Sequence, residues 1–159
     1  MQLGQGMVSR TYLQNGIVSK QYLTPFQKYT ARNIKSHWDN EIKALEAFKG
    51  KKHFPQLINV DPANRIIYIS YCGELLTKEN LPKDWEKQCK EIEATLDEKK
   101  IYHIDLSEIR GEKKFHKNIC VNKGIINLID WGFWTRDKGQ YTTQGTVHQR
   151  IKPLVQCKE

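Results

Sequence analysis

The stretch from His103 to Gly132, HIDLSEIRGEKKFHKNICVNKGIINLIDWG, decides how the rest of the chain is read. Two short apolar runs, Ile119–Val121 and Ile125–Ile129, flank an Asn122-Lys123-Gly124 turn and read as a small antiparallel ribbon. Asp105 follows His103-Ile104, Asn118 sits at the start of the ribbon, and Asp130 sits at its end. Carboxylates and amides at strand ends offer the hard oxygen ligands that magnesium takes. Each residue also has an ordinary reading: Asp105 as a cap, Asn118 as a turn residue, Asp130-Trp131-Gly132 as a strand-ending turn. Their joint order is what points to a site. Gly111-Glu112-Lys113-Lys114 reads as part of a charged, exposed loop.

Working outward, Asp84 begins a helix that runs to about Lys100, with Trp85, Cys89, Ile92 and Leu96 on one face. Gly73 ends a β-rich half in which Arg65–Tyr71 pairs with Leu57–Val60. Ser36 or Asp39 can cap a helix running to about Phe48, with Trp38, Ile42 and Leu45 at helical spacing and Gly50 at its stop. Residues 24–35 read as irregular, since Pro25 breaks any helix there. Residues 1–23 form a β-ribbon turned by Asn15-Gly16, a pair that tolerates the positive φ of a tight hairpin. Thr135 to Glu159 is polar, with no convincing amphipathic helix. Strands and helices do not alternate regularly, so the class is α+β.

The chain has 159 residues, 38% of them hydrophobic, enough for one domain with a real core. Charged residues make up 28%, which argues against wholesale disorder. With 26 Lys+Arg against 18 Asp+Glu the formal charge is +8, which favours an anionic partner. No apolar stretch is long enough to span a membrane, and no signal peptide is evident at the N-terminus. Cys72, Cys89, Cys120 and Cys157 are widely spaced without a CxxC pair, so a reducing, cytoplasmic setting is expected.

Three further features bear on chemistry. Gly4-Gln5-Gly6 lacks the preceding strand and following helix of a dinucleotide fingerprint, but a glycine loop folded over phosphates between antiparallel strands stays open. Lys20 ends the strand Ile17-Val18-Ser19; a lone strand lysine is ordinarily a surface residue. Glu41 lies beside the apolar stripe of the first helix, where an acid could hold Lys20 extended.

From Leu3 to about Thr146 these motifs resemble the protein-kinase-like family. Gly4-x-Gly6-x-x-Ser9-x-Thr11 is similar to the glycine-rich loop, and Ile17-Val18-Ser19-Lys20 to the strand with the phosphate-anchoring lysine. Glu41 matches the helix glutamate that pairs with it. Tyr71-Cys72-Gly73 resembles the hinge whose backbone would bond adenine. His103-Ile104-Asp105-Leu106 resembles the catalytic loop, Asn118 its metal-binding asparagine, and Asp130-Trp131-Gly132 the metal-binding Asp-Phe-Gly.

The resemblance implies a kinase-like fold, with an N-lobe over 1–71 and a reduced C-lobe over 72–159. It implies ATP and magnesium as cofactors and a protein or small-molecule hydroxyl as substrate, Ser/Thr-directed. Gly4, Gly6, Ser9, Lys20, Tyr71 and Cys72 would bind nucleotide. Lys20, Glu41 and Asp105 would carry catalysis, and Asn118 and Asp130 the metal. Several features depart from the family. Ile104 stands where the family has arginine, so control through a phosphorylated activation loop is not expected. Asp105 and Asn118 are 13 positions apart, against about five in the family pattern, so Ser107–Phe115 must loop out. That insertion carries Arg110, Lys113 and Lys114 and could help bind substrate. No Ala-Pro-Glu follows, and no sequence is left for the helices that complete the larger lobe. A second copy could cover the apolar surface this leaves. So short a kinase suggests a compact genome such as a virus, acting in the host cytoplasm. The rival readings are a pseudokinase that binds nucleotide or a partner without transfer, and a nucleic-acid binder. The second rests on Lys49–His53 and Lys113-Lys114 alone, with no accompanying nucleic-acid motif.

Overall fold

The computed structural model describes residues 1–5, 9–23, 31–106 and 116–156. Gly6, the Pro25 region, the Ser107–Phe115 insertion and Cys157 lie outside the described residues. The class is α+β. Five antiparallel strands open the chain: β1 (Gln2–Gln5), β2 (Ser9–Gln14), β3 (Ile17–Tyr22), β4 (Leu57–Asp61) and β5 (Ile66–Ser70), in the order β1-β2-β3-β5-β4. Helix α1 (Ala31–Ala47) intervenes between β3 and β4. Asn15 and Gly16 turn β2 into β3 with φ of 53° and 75°, the mirror-image turn that two-residue hairpins favour.

Beyond Tyr71 come β6 (Glu74–Leu75), α2 (Trp85–Lys99), β7 (Tyr102–His103), β8 (Ile119–Asn122) and β9 (Ile125–Leu128). They are followed by β10 (Trp134–Thr135), α3 (Lys138–Gln144) and α4 (Val147–Gln156). The strands form a sheet ordered β6-β8-β9 and a ribbon of β7 with β10. Lys123 and Gly124, with φ of 50° and 79°, make the β8–β9 turn. Gly73 has φ of 93°, and a Cβ there would lie 1.9 Å from the Val121 carbonyl oxygen. The crossing between the two sheets therefore requires glycine.

Two expectations are corrected. Helix α1 begins at Ala31, not at Ser36 or Asp39. Both of those residues lie inside the helix and are exposed, and Asp39 accepts a hydrogen bond from Lys35 one turn back, at 3.1 Å. The C-terminal stretch is helical rather than irregular. α4 buries Val147, Ile151 and Leu154 at i, i+4 and i+7 against α2, and α3 buries Tyr141. The Tyr141 hydroxyl donates to Glu93 at 2.5 Å and accepts from the Val147 N–H at 3.0 Å, joining α2, α3 and α4. The sequence after Gly132 thus does supply helices to the second half. Phe133 and Val155 are the large apolar side chains exposed there among the described residues.

The core has two clusters. Val18, Tyr22, Ile34, Leu45, Ile67 and Ile69 fill the space between the five-stranded sheet and α1. The larger one gathers α2, α3, α4, β8 and β9, together with Ala44 of α1 and Phe48 just beyond its end. α1 therefore packs into the first cluster through Ile34 and Leu45 and into the second through Ala44. No helix among the described residues is long and apolar enough to cross a membrane.

Candidate functional site

Side chains alternate along β3, so Val18, Lys20 and Tyr22 turn inward while Ile17 and Gln21 turn out. This puts Lys20 at 5% exposure, overturning the ordinary surface reading of a strand lysine. A buried ammonium needs partners. It has two: Glu41 Oε2 at 2.7 Å, from α1, and Asp130 Oδ1 at 2.9 Å, from the end of the β8–β9 ribbon. Glu41 is itself 1% exposed. Burial alone would lower the Lys20 pKa, but the charges of Asp130 and Glu41 outweigh it and raise it. Burial likewise pushes Asp130 up, but Lys20 wins and holds it down to about 2. Glu41 stays above its ordinary value because burial outweighs the attraction of Lys20.

Tyr22 was not foreseen. Two residues beyond Lys20 on the same face of β3, its hydroxyl donates to the same Glu41 oxygen. Burial, then the Glu41 charge, pushes the Tyr22 pKa well up, so the phenol stays protonated and donates to Glu41. Tyr22→Phe removes one charge-assisted bond from a buried carboxylate and is expected to cost about 2 kcal/mol, read as a lower urea midpoint. An unchanged midpoint would mean the phenol contributes nothing there.

Asp130 has φ of 63°, a left-handed backbone uncommon outside glycine but more accessible to aspartate and asparagine than to other side chains. Contacts on both sides hold it there. The Ile129 N–H donates to the Asn118 carbonyl at 3.0 Å, and Trp131 is fully buried, its indole donating to the Leu128 carbonyl at 3.0 Å. Its ring lies 4.7 Å from Phe48 and 4.8 Å from His103. Gly132 lets α1 approach closely, because a Cβ there would lie 2.7 Å from His37 Nδ1.

His103 joins the two acidic segments. Its Nε2 donates to the Ile129 carbonyl at 2.9 Å, and its Nδ1 accepts the Asp105 N–H at 3.0 Å. An N–H can only donate and a carbonyl only accept, which fixes the neutral tautomer. Burial depresses the His103 pKa in keeping with that. The imidazole thus ties the backbone beside Asp105 to the backbone beside Asp130.

The 13-residue separation does not keep Asp105 and Asn118 apart. Asn118 Nδ2 donates to the Asp105 carbonyl at 2.6 Å and lies 3.4 Å from its carboxylate. With its nitrogen so engaged, the amide presents Oδ1 as its ligand atom. Among the described residues no three His, Cys, Asp or Glu side chains are placed to hold a metal. One carboxylate and one amide oxygen nevertheless suit magnesium that arrives with phosphates, which supply the remaining ligands. Lys20, Glu41 and Asp130 therefore form one connected group and Asp105 with Asn118 another, with His103 between them.

The other nucleotide-binding candidates are placed differently. Ser9 is buried on β2 and Gly4 lies on β1, opposite Thr11. Tyr71 and Cys72 join the two sheets, where their carbonyls accept from Asn122 at 3.4 Å and Asn127 at 3.3 Å. Both also line a cavity of about 580 Å³ with Lys51, Lys52, His53 and Lys123. That cavity contains none of Lys20, Glu41, Asp105, Asn118 or Asp130. No protein-family model matches this chain, and a search of curated proteins found no match.

Proposed function

We propose that this chain is an ATP-dependent phosphotransferase of the protein-kinase-like class, transferring the γ-phosphate to a hydroxyl. The observation that carries the reading is the buried Lys20 held between Glu41 and Asp130. Two acids from distant parts of the chain converge on one lysine, which has no solvent to stabilise it. A purely structural core would fill that volume with apolar side chains, since buried ion pairs stabilise less than good packing. An enzyme that must grip phosphates has a use for a fixed cation.

In this reading Lys20 binds phosphate oxygens and Glu41, steadied by Tyr22, holds its ammonium in place. Asp130 and the Asn118 amide oxygen would hold magnesium, which when bound neutralises phosphate charge. Asp105 orients the acceptor hydroxyl and takes its proton. The hydroxyl oxygen bonds to the γ-phosphorus as the bond to the bridging oxygen breaks, and ADP leaves with that oxygen. Most of the acceleration comes from positioning and preorganised charge. A protein or a small metabolite could supply the hydroxyl; Ser/Thr side chains are the first acceptors to try.

A thermal-shift titration is the first test. Melting temperature is expected to rise with ATP and to rise further when magnesium is added, because ligands that bind only the native state stabilise it by mass action. No shift with either would count against a nucleotide site. A shift without phosphate transfer would favour the pseudokinase reading.

A further inference from the structure

Glu41 reaches Lys20 only if α1 keeps its present position, and a set of contacts outside the ion pair fixes it. Asn40, the residue before Glu41, points the other way. Its Nδ2 donates to the Gly132 carbonyl at 3.1 Å, two residues beyond Asp130. Its backbone carbonyl accepts the indole N–H of Trp134 at 2.8 Å. Trp134 lies on β10, opposite His103 of β7, so the same indole is tied to the strand that leads into Asp105. Lys43 of α1 and Arg136 also approach the Trp134 ring, at 5.9 and 5.4 Å from its centroid. One turn earlier on α1, His37 meets the ring of Phe133 edge-on at 4.0 Å. From residue 37 to residue 43, α1 is thus held by the segment 132–136.

We propose that Asn40 and Trp134 are positioning residues that clamp α1 to the segment after Asp130 and so hold Glu41 on Lys20 without any covalent modification. The two hydrogen bonds are between neutral groups and need no added phosphate to form. This agrees with Ile104, which gives the catalytic-loop stretch no arginine to receive one. The kinetic side of the proposal rests on the phosphotransfer reading; the placement of α1 does not.

The test compares wild type with Asn40→Leu, which keeps the shape of a half-buried side chain but cannot donate, and with Trp134→Phe, which keeps a ring but loses the N–H. Hydrogen–deuterium exchange of the α1 amides and steady-state kinetics are read together. Each variant is expected to speed exchange from Ile34 to Glu41 and to lower kcat, both by about tenfold, with the KM for ATP within about twofold. Phosphatase treatment should leave wild-type kcat unchanged. Wild-type exchange in α1 of both variants, or loss of wild-type kcat on phosphatase treatment, would overturn the proposal. If wild type transfers no phosphate, the function proposed above fails, and α1 exchange alone decides the clamp.

Discussion

Asp130→Asn is expected to lower magnesium-dependent ATP turnover by about 10³-fold or more while the protein stays folded. The substitution keeps the shape of the side chain and removes its charge. Two consequences follow for the proposed reaction. The metal loses its only carboxylate ligand among the residues assigned to it, leaving amide oxygens that bind a hard dication more weakly. Lys20 loses one of its two anions and is drawn fully to Glu41. A factor of 10³ corresponds to about 4 kcal/mol of transition-state stabilisation, within reach of a lost charge–charge contact at a reacting phosphate.

The fold should tolerate the change, because the Asp130 side chain is 39% exposed and its asparagine can still accept from Lys20. Its signature in stability should be a pH dependence. Asp130 has its pKa depressed to about 2, so what it adds to stability is complete above its ordinary value and disappears as pH falls through about 2. The gap between wild type and Asp130→Asn should close over that acid range in urea titrations. Full turnover by the variant, or a gap that widens on acidification, would contradict the assignment.

Lys20→Met is expected to abolish turnover and to destabilise the protein by about 3 kcal/mol at neutral pH. Methionine fills the space, so the cost is electrostatic. Glu41, 1% exposed, is left with the Tyr22 hydroxyl alone, and Asp130 becomes an uncompensated neighbour of like charge. The Glu41 pKa is already above its ordinary value, and losing Lys20 must raise it further. A carboxyl with a raised pKa in the folded state adds stability below its unfolded pKa and loses it as pH rises through the folded one. The deficit of Lys20→Met should therefore shrink as pH is lowered from neutral, at a higher pH than that at which the Asp130→Asn gap closes. A deficit independent of pH would show that Glu41 is not left charged and buried.

What could be read from the sequence was mostly local. Asn15-Gly16 and Asn122-Lys123-Gly124 announce their turns because glycine, and to a lesser degree asparagine, tolerate positive φ. α2 follows from Trp85, Cys89, Ile92 and Leu96, which all prove buried. The start of α1 was misplaced because Ser36 and Asp39 are good caps that here sit on a solvent-facing helix surface. α3 and α4 escaped because one is seven residues long with a single buried side chain, and the other carries Pro153 among only three buried positions.

The site followed the same division. Lys20, Glu41, Asp105, Asn118 and Asp130 were named from motif order, and the structure brings them into two hydrogen-bonded groups. Tyr22 had a local signal, since a period of two puts it on the same face as Lys20. Asn40 and Trp134 had none, because their bonds span 92 and 94 residues and depend on how α1 docks. Tyr71 and Cys72 are implied as nucleotide-binding residues by the resemblance alone, and the structure sets them at the crossing between the sheets, with their carbonyls bonded to Asn122 and Asn127.

The most direct test is to follow the γ-phosphate of labelled ATP in wild type, with magnesium and with a chelator, beside Asp105→Asn and Asp130→Asn. The account predicts label moving to a hydroxyl acceptor only with magnesium, and loss of that transfer in both variants while each still melts cooperatively. Label that stays on ATP in wild type, or transfer that survives both substitutions, would contradict it.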